Sequence, residues 1–203
     1  SATLAQGFGS VFIDTEGSFR VERVMDFLKH RFNIEDYREV ISERLIVCKE
    51  FVNISSFFDA IASGQLTALM KKVVDKAPIR ALFLDSIASL PRREFTGRDI
   101  GQRDQLDKAR SIMLQIFGMK AMESLLNLTT FTTTHIYTDI SGYGAKRYLM
   151  WGGPSLGHNV AGEWFLKEAT ERDLSHIARK YAITKSKLKE LKHTMRILIV
   201  RKG

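Results

Sequence analysis

The chain contains a single cysteine, Cys48, so it forms neither an internal disulfide nor a cysteine-built zinc cluster. Lying in the apolar run LIVC, Cys48 reads as a buried structural thiol, which implies a reducing compartment. Only three prolines, Pro78, Pro91 and Pro154, interrupt the 203 residues, and there is no repeat, low-complexity tract or Ser/Gly-rich linker. A single domain over 1–203 is therefore expected. No stretch approaches the roughly 18 uninterrupted apolar residues of a membrane span, and the opening SATLAQGFGS lacks the basic start and apolar run of a signal peptide. The chain reads as soluble and intracellular, without a membrane partner. His176 and His193 have no companions at metal-ligand spacing.

What is present suits a packed core: 44% of residues are hydrophobic and 10% aromatic. The net charge of +8 is uneven, because from Lys167 onward 11 Lys and Arg stand against 4 Asp and Glu. Such a surface favours polyanions such as nucleic acid, although a solvated lysine-rich helix face carries the same charge.

Short apolar runs alternate with stretches of helical spacing. Ser10 to Asp14 (SVFID) predicts a buried strand that enters a loop at Thr15, Glu16 and Gly17. Ser18 is a candidate cap for a helix carrying Phe19, Val21, Val24, Phe27 and Leu28. Arg44 to Lys49 predicts a strand, Ile54 to Asp75 a helix, and Arg80 to Asp85 (RALFLD) a strand. A polar loop is expected around Pro91 to Gly101, a helix over Gln102 to Leu125, and a strand over Leu128 to Thr134. A long glycine-containing loop follows from Thr138 to His158. Gly162 to Leu166 and Met195 to Val200 are the last strand candidates, flanking a basic helical insertion over 168–193. The pattern predicts an α/β fold with a mostly parallel, twisted sheet and flanking helices.

In such sheets ligands bind beyond the C-terminal strand ends, which makes Glu16 and Asp85 the first candidates for chemistry. A carboxylate that activates water beside one that holds Mg²⁺ is the arrangement of a nucleotide triphosphatase. An Asp closing an apolar strand is also an ordinary turn or capping residue.

Whole segments narrow the choice. VFIDTEGSFRVER at Val11 to Arg23 resembles the strand and loop after the P-loop helix in RadA and the eukaryotic recombinases, above all their B and C paralogues. LFLDSIASLPRREFTGR at Leu82 to Arg98 resembles the Walker B strand running into the first DNA-binding loop. TTTHIYTDISG at Thr132 to Gly142 and GGPSLGH at Gly152 to His158 resemble the start and exit of the second DNA loop. These four segments, in order, reach to about Leu166. The chain is thus similar to the RecA/RadA-type recombinase family, and EFTGR favours that branch over a hexameric helicase.

The resemblance implies a RecA-like ATPase core using ATP and Mg²⁺. Glu16 would activate the attacking water, Asp85 would be the Mg²⁺-associated acid, and Ser86 would support Asp85 by hydrogen bonding. His135 stands where the recombinases place a glutamine that senses the γ-phosphate; an imidazole satisfied by neighbouring threonines is the alternative. The resemblance further implies single-stranded DNA contacts from Arg93, Phe95 and Arg98 in the first loop. In the second, Lys146, Arg147 and Tyr148 carry the same role, with Tyr143 and Trp151 nearby. Cations suit phosphates and aromatic faces suit unstacked bases. Homologous-recombination repair in the nucleus follows, with other paralogues or the recombinase itself as partners. A non-catalytic RecA-fold scaffold in a paralogue complex is the alternative.

The sequence contains no G-x-x-x-x-G-K-[ST], and GYGAK at Gly142 to Lys146 has the wrong spacing and no hydroxyl residue after its lysine. Ten residues precede Val11, against roughly 30 for a βαβ unit. The expectation is a partial core lacking the P-loop strand and helix, inactive as an ATPase alone.

Overall fold

The computed structural model describes residues 1–49, 51, 53–95, 112–116, 118–120, 123, 127–139, 147–150, 156, 164–168 and 197–201, with side chains placed almost entirely before Ile136. Ser1–Leu156 and Gly157–Gly203 form two compact units.

The first unit is organised by four parallel strands: β1 (Gly9–Asp14), β2 (Leu45–Cys48), β3 (Ile79–Asp85) and β4 (Thr129–Thr132), in the order β2-β1-β3-β4. Register aligns Val11 with Leu82 and Ile13 with Leu84, and all four side chains are at most 1% exposed. Alternation sends Phe12 to the other face, where it stacks on its partner Phe83, which stacks in turn on Phe131 of β4. One apolar face and one aromatic ladder thus hold three strands in a single register. Because every pairing is parallel, the C-terminal ends of β1, β3 and β4 lie side by side.

The flanking helices are α1 (Ala2–Ala5), α2 (Val21–Asp26), α3 (Tyr37–Arg44), α4 (Ile54–Ala62), α5 (Gln65–Val74) and α6 (Ser89–Phe95). Leu4, Leu28 and Val40 join α1, the segment after α2, and α3 in one apolar cluster that includes Leu45 of β2. Asn53 caps α4 through a reciprocal pair: its side chain accepts from the Ser56 amide at 2.8 Å, and its own amide donates to Ser56 Oγ at 3.2 Å. Among the described residues no helix is long and apolar enough to cross a membrane.

Several sequence expectations need correction. The helix expected over Ile54 to Asp75 is two helices, because Gly64 takes a φ of 74°, a left-handed conformation that ends one helix and starts the next. Ser18 does not cap α2; Arg20 stands at that position, since a buried acceptor upstream captures the Ser18 and Phe19 amides. A π-helical turn, Phe27–Arg31, follows α2 and leaves Phe27 56% exposed. The polar loop expected from Pro91 begins as α6, with Pro91 in the first turn, where its missing N–H costs no helical bond.

The expected loop from Thr138 to His158 instead carries two antiparallel strands, β5 (Ile136–Asp139) and β6 (Arg147–Met150), pairing Ile136 with Met150 and Asp139 with Arg147. Its glycines concealed two short β-prone runs on either side of them. In the second unit β7 (Trp164–Glu168) pairs antiparallel with β8 (Ile197–Arg201). The basic helical insertion expected over 168–193 lies outside the described residues, apart from Glu168 at the end of β7.

Truncating Leu82 to alanine opens a cavity beneath this sheet and lowers unfolding stability by about 2–5 kcal/mol. Phe27→Ala, at an exposed position, shifts it by no more than about 0.5 kcal/mol. Urea unfolding of both variants measures the contrast.

Candidate functional site

The backbone is stitched together where β1 and β3 end. Thr15, 1% exposed, donates its amide to the Asp85 carbonyl at 2.8 Å, and its hydroxyl lies 2.9 and 3.0 Å from the Asp85 and Ser86 carbonyls. The same hydroxyl accepts the Ser86 amide at 2.8 Å. The Asp85–Ser86 peptide is cis. From the other side, the Thr133 amide donates to the Leu84 carbonyl and the Ile87 amide to the Thr133 carbonyl, both at 3.1 Å. Three strand ends are thereby fixed before any ligand is considered.

Asp14, 2% exposed, closes β1 and turns its carboxylate onto the loop that follows. It accepts the amides of Glu16 at 3.2 Å, Ser18 at 3.1 Å and Phe19 at 3.0 Å. Burial alone would raise this carboxyl; the N–H groups of Phe19, Ser18, Gly17 and Glu16 outweigh it and hold the group below its ordinary value. Lys49 lies 3.9 Å away with its side chain half exposed, so it adds little.

Glu16 then projects from a rigid turn. Ser86 Oγ donates to Glu16 Oε1 at 2.8 Å, and His135 Nε2 lies 2.8 Å from the same oxygen. Burial pushes the Glu16 carboxyl up, but the Ser86 and His135 hydrogen bonds, with the charge of Arg92 and of His135 when it is protonated, bring it net downward. Glu16 is therefore ionised at neutral pH and accepts, so His135 Nε2 carries the proton it donates. Both residues remain partly open, with side chains 30% and 41% exposed.

Asp85 sits beside this group. Thr133 Oγ1 donates to its Oδ1 at 2.5 Å, and Ser18 Oγ lies 3.4 Å from its Oδ2. The structure therefore gathers Glu16, Asp85, Ser86 and His135 at one edge of the sheet. Ser86, expected to support Asp85, serves Glu16 instead, and Thr133 takes the Asp85 role. His135 pairs with a carboxylate rather than with its threonine neighbours.

The expected DNA-contact residues are less concentrated. The Arg93 guanidinium donates to the Thr15 carbonyl, inside the stitched turn. Phe95 ends α6, and Arg147 and Tyr148 lie on β6; the side chains of all three, together with Arg98 and Lys146, are outside the described residues. Asp14, Thr15, Ser89 and Thr133 escaped the sequence reading. Asp14 had a usable signal, a carboxylate on the last residue of a core strand with Gly17 and Ser18 in the turn after it, which predicts capture of the next amides. Thr15 and Thr133 carried none, since their partners, the Asp85 carbonyl and the Asp85 carboxylate, lie 70 and 48 residues away.

A family model described as Rad51 matches residues 4–173, most of the chain. The chain belongs to the Rad51 family. Its fold is accordingly the RecA-type α/β core, seen here as the parallel sheet with flanking helices. The chain is 28% identical over 148 residues to mouse "DNA repair protein RAD51 homolog 2", covering 66% of this chain and 40% of that protein. The human protein of the same name is 25% identical over 150 residues, covering 70% of this chain and 37% of its own length. The chain thus spans about two fifths of the length of these relatives.

The Asp14 turn has a defined pH signature. Its folded-state carboxyl is depressed, so its stabilisation is fully present above the ordinary aspartate value of about 3.9 and is lost as pH falls through the lower folded value. Asp14→Asn should lower stability at pH 7 by roughly 1.5–3 kcal/mol and flatten the acid limb of stability against pH below about 4. Urea midpoints of wild type and variant across that range measure both effects.

Proposed function

We propose that this member of the Rad51 family serves homologous-recombination repair in the nucleus, binding single-stranded DNA and assembling with other paralogues or the recombinase in an ATP-dependent manner. Glu16 is the water-activating carboxylate and Asp85 the Mg²⁺-associated acid. The observation that carries this reading is the placement of two carboxylates at the ends of adjacent parallel strands. One is held by Ser86 and His135, the other by Thr133 and Ser18.

The donor set fits the implied cation. Mg²⁺ usually takes one or two carboxylates and completes its shell with waters and substrate phosphates, rather than sitting in an all-protein cage. Asp85 is such a carboxylate, and among the described residues no group of three or more His, Cys, Asp or Glu could enclose a metal. When bound, Mg²⁺ would neutralise phosphate oxygens.

The chain's own residues prepare the nucleophile. Ser86 and His135 both occupy Oε1 of Glu16, so Oε2 is the oxygen on which an attacking water is oriented and to which its proton passes. His135 donates from the position beyond β4, where the end of that strand meets the loop leading to β5. A γ-phosphate presented there would compete for the same N–H, which makes His135 the group that registers the nucleotide. Arg98, Lys146, Arg147 and Tyr148 supply the cations and the aromatic face for single strands.

In protein carrying the phosphate-binding loop, Glu16→Gln should cut kcat by about 10²–10⁴ while nucleotide affinity is kept; unchanged turnover removes Glu16 from the reaction. Arg98→Ala should weaken single-strand binding and reduce the salt slope by about 0.7, as loss of one phosphate contact requires. An unaltered titration removes Arg98 from the DNA surface.

A further inference from the structure

Arg93 is a cation on the segment assigned to DNA, yet its guanidinium is directed at the backbone of the catalytic turn. Its Nη2 donates to the Thr15 carbonyl, and Ser89 Oγ donates to the same oxygen at 3.1 Å. Both donors come from α6, one from its first residue and one a turn later. The carbonyl they share belongs to the Thr15–Glu16 peptide. At the opposite end of that planar unit, the Glu16 N–H points at Asp14 Oδ1 at 3.2 Å.

A peptide held at its oxygen by α6 and at its N–H by Asp14 has no freedom to rotate. Its plane sets the direction in which the Glu16 side chain leaves the backbone. Thr15 is 1% exposed, so the carbonyl would otherwise be a buried acceptor short of donors. The guanidinium, by contrast, lies on an exposed residue at the surface of α6.

We propose that Arg93 is a positioning residue for Glu16: together with Ser89 it pins the Thr15–Glu16 peptide and thereby aims the carboxylate, rather than binding DNA phosphate. This rests on the reading of Glu16 as the water-activating group. Arg92, the neighbouring cation, acts on Glu16 through space; Arg93 acts through the backbone.

Two substitutions separate the roles. Arg93→Gln keeps an N–H donor without the charge, and Arg93→Met keeps length without a donor. The Glu16 carboxyl titration, followed by ¹³C NMR in the full chain, reports the grip of Ser86 and His135 on Oε1. Arg93→Met should move the midpoint up toward the ordinary carboxylate range clearly further than Arg93→Gln does. Both variants should bind a single-stranded oligonucleotide with the wild-type salt slope. Ser89→Ala, which removes the other donor from the same oxygen, should raise the midpoint in the same direction and supplies the test independently of how Arg93→Met folds.

An equal rise in Arg93→Gln and Arg93→Met would assign the effect to charge and overturn the proposal, as would no rise in Arg93→Met and Ser89→Ala. A salt slope reduced by about 0.7 in both Arg93 variants would make Arg93 a phosphate contact instead. Failure of the catalytic reading shows elsewhere, as unchanged turnover in Glu16→Gln, and leaves these titrations interpretable.

Discussion

Thr15 joins two strands at the point where each hands over to a loop. Its amide and hydroxyl engage the Asp85 and Ser86 backbone, and its carbonyl receives Ser89 and Arg93 from α6. The polar groups of β1 and β3 would otherwise end unpaired in a buried place, at a cost of roughly 1–3 kcal/mol for each unsatisfied group. Satisfying them with one residue fixes the separation of the two turns. The distance between Glu16 and Asp85 is therefore a property of the backbone, set before their side chains choose rotamers.

Three acidic residues lie within this small region, and burial divides their roles. Asp14 is 2% exposed and spends its charge on amides of its own loop. Glu16 and Asp85 keep part of their surface open and are held by hydroxyl groups and an imidazole. A buried carboxylate surrounded by N–H donors stabilises a turn; a partly open one can still exchange a partner for water or phosphate. The depressed carboxyls of Asp14 and Glu16 share a direction but not a cause: the first is held by amides of its own loop, the second by Ser86, His135 and nearby charge.

The four parallel strands and the two outward carboxylates were legible in the sequence, because unbroken apolar runs such as RALFLD announce buried parallel strands and end where their side chains become acidic. Gly64 was harder: a lone glycine within a long helical pattern is tolerated as often as it breaks the helix, and only its left-handed φ decides. The strands Ile136–Asp139 and Arg147–Met150 were missed because four residues of mixed polarity carry too few alternations to stand out from a loop. Ser86 was attached to the wrong carboxylate because it is the sequence neighbour of Asp85. In the fold, the side chains of successive residues point apart, and its hydroxyl meets Glu16, 70 residues earlier. Non-local hydrogen bonds of this kind leave no periodic trace.

The Thr15 hydroxyl locks the Asp85–Ser86 turn to the end of β1. Amide hydrogen exchange at Ser86, whose N–H donates to Thr15 Oγ1 at 2.8 Å, tests it directly in wild type and in Thr15→Val. Ser86 protection should fall by at least about tenfold in the variant, equivalent to about 1.4 kcal/mol, while core amides on β3 such as Leu82 fall less. Equal protection of Ser86 in the two proteins would contradict it, and the spacing of Glu16 and Asp85 would then have to be fixed by something other than Thr15.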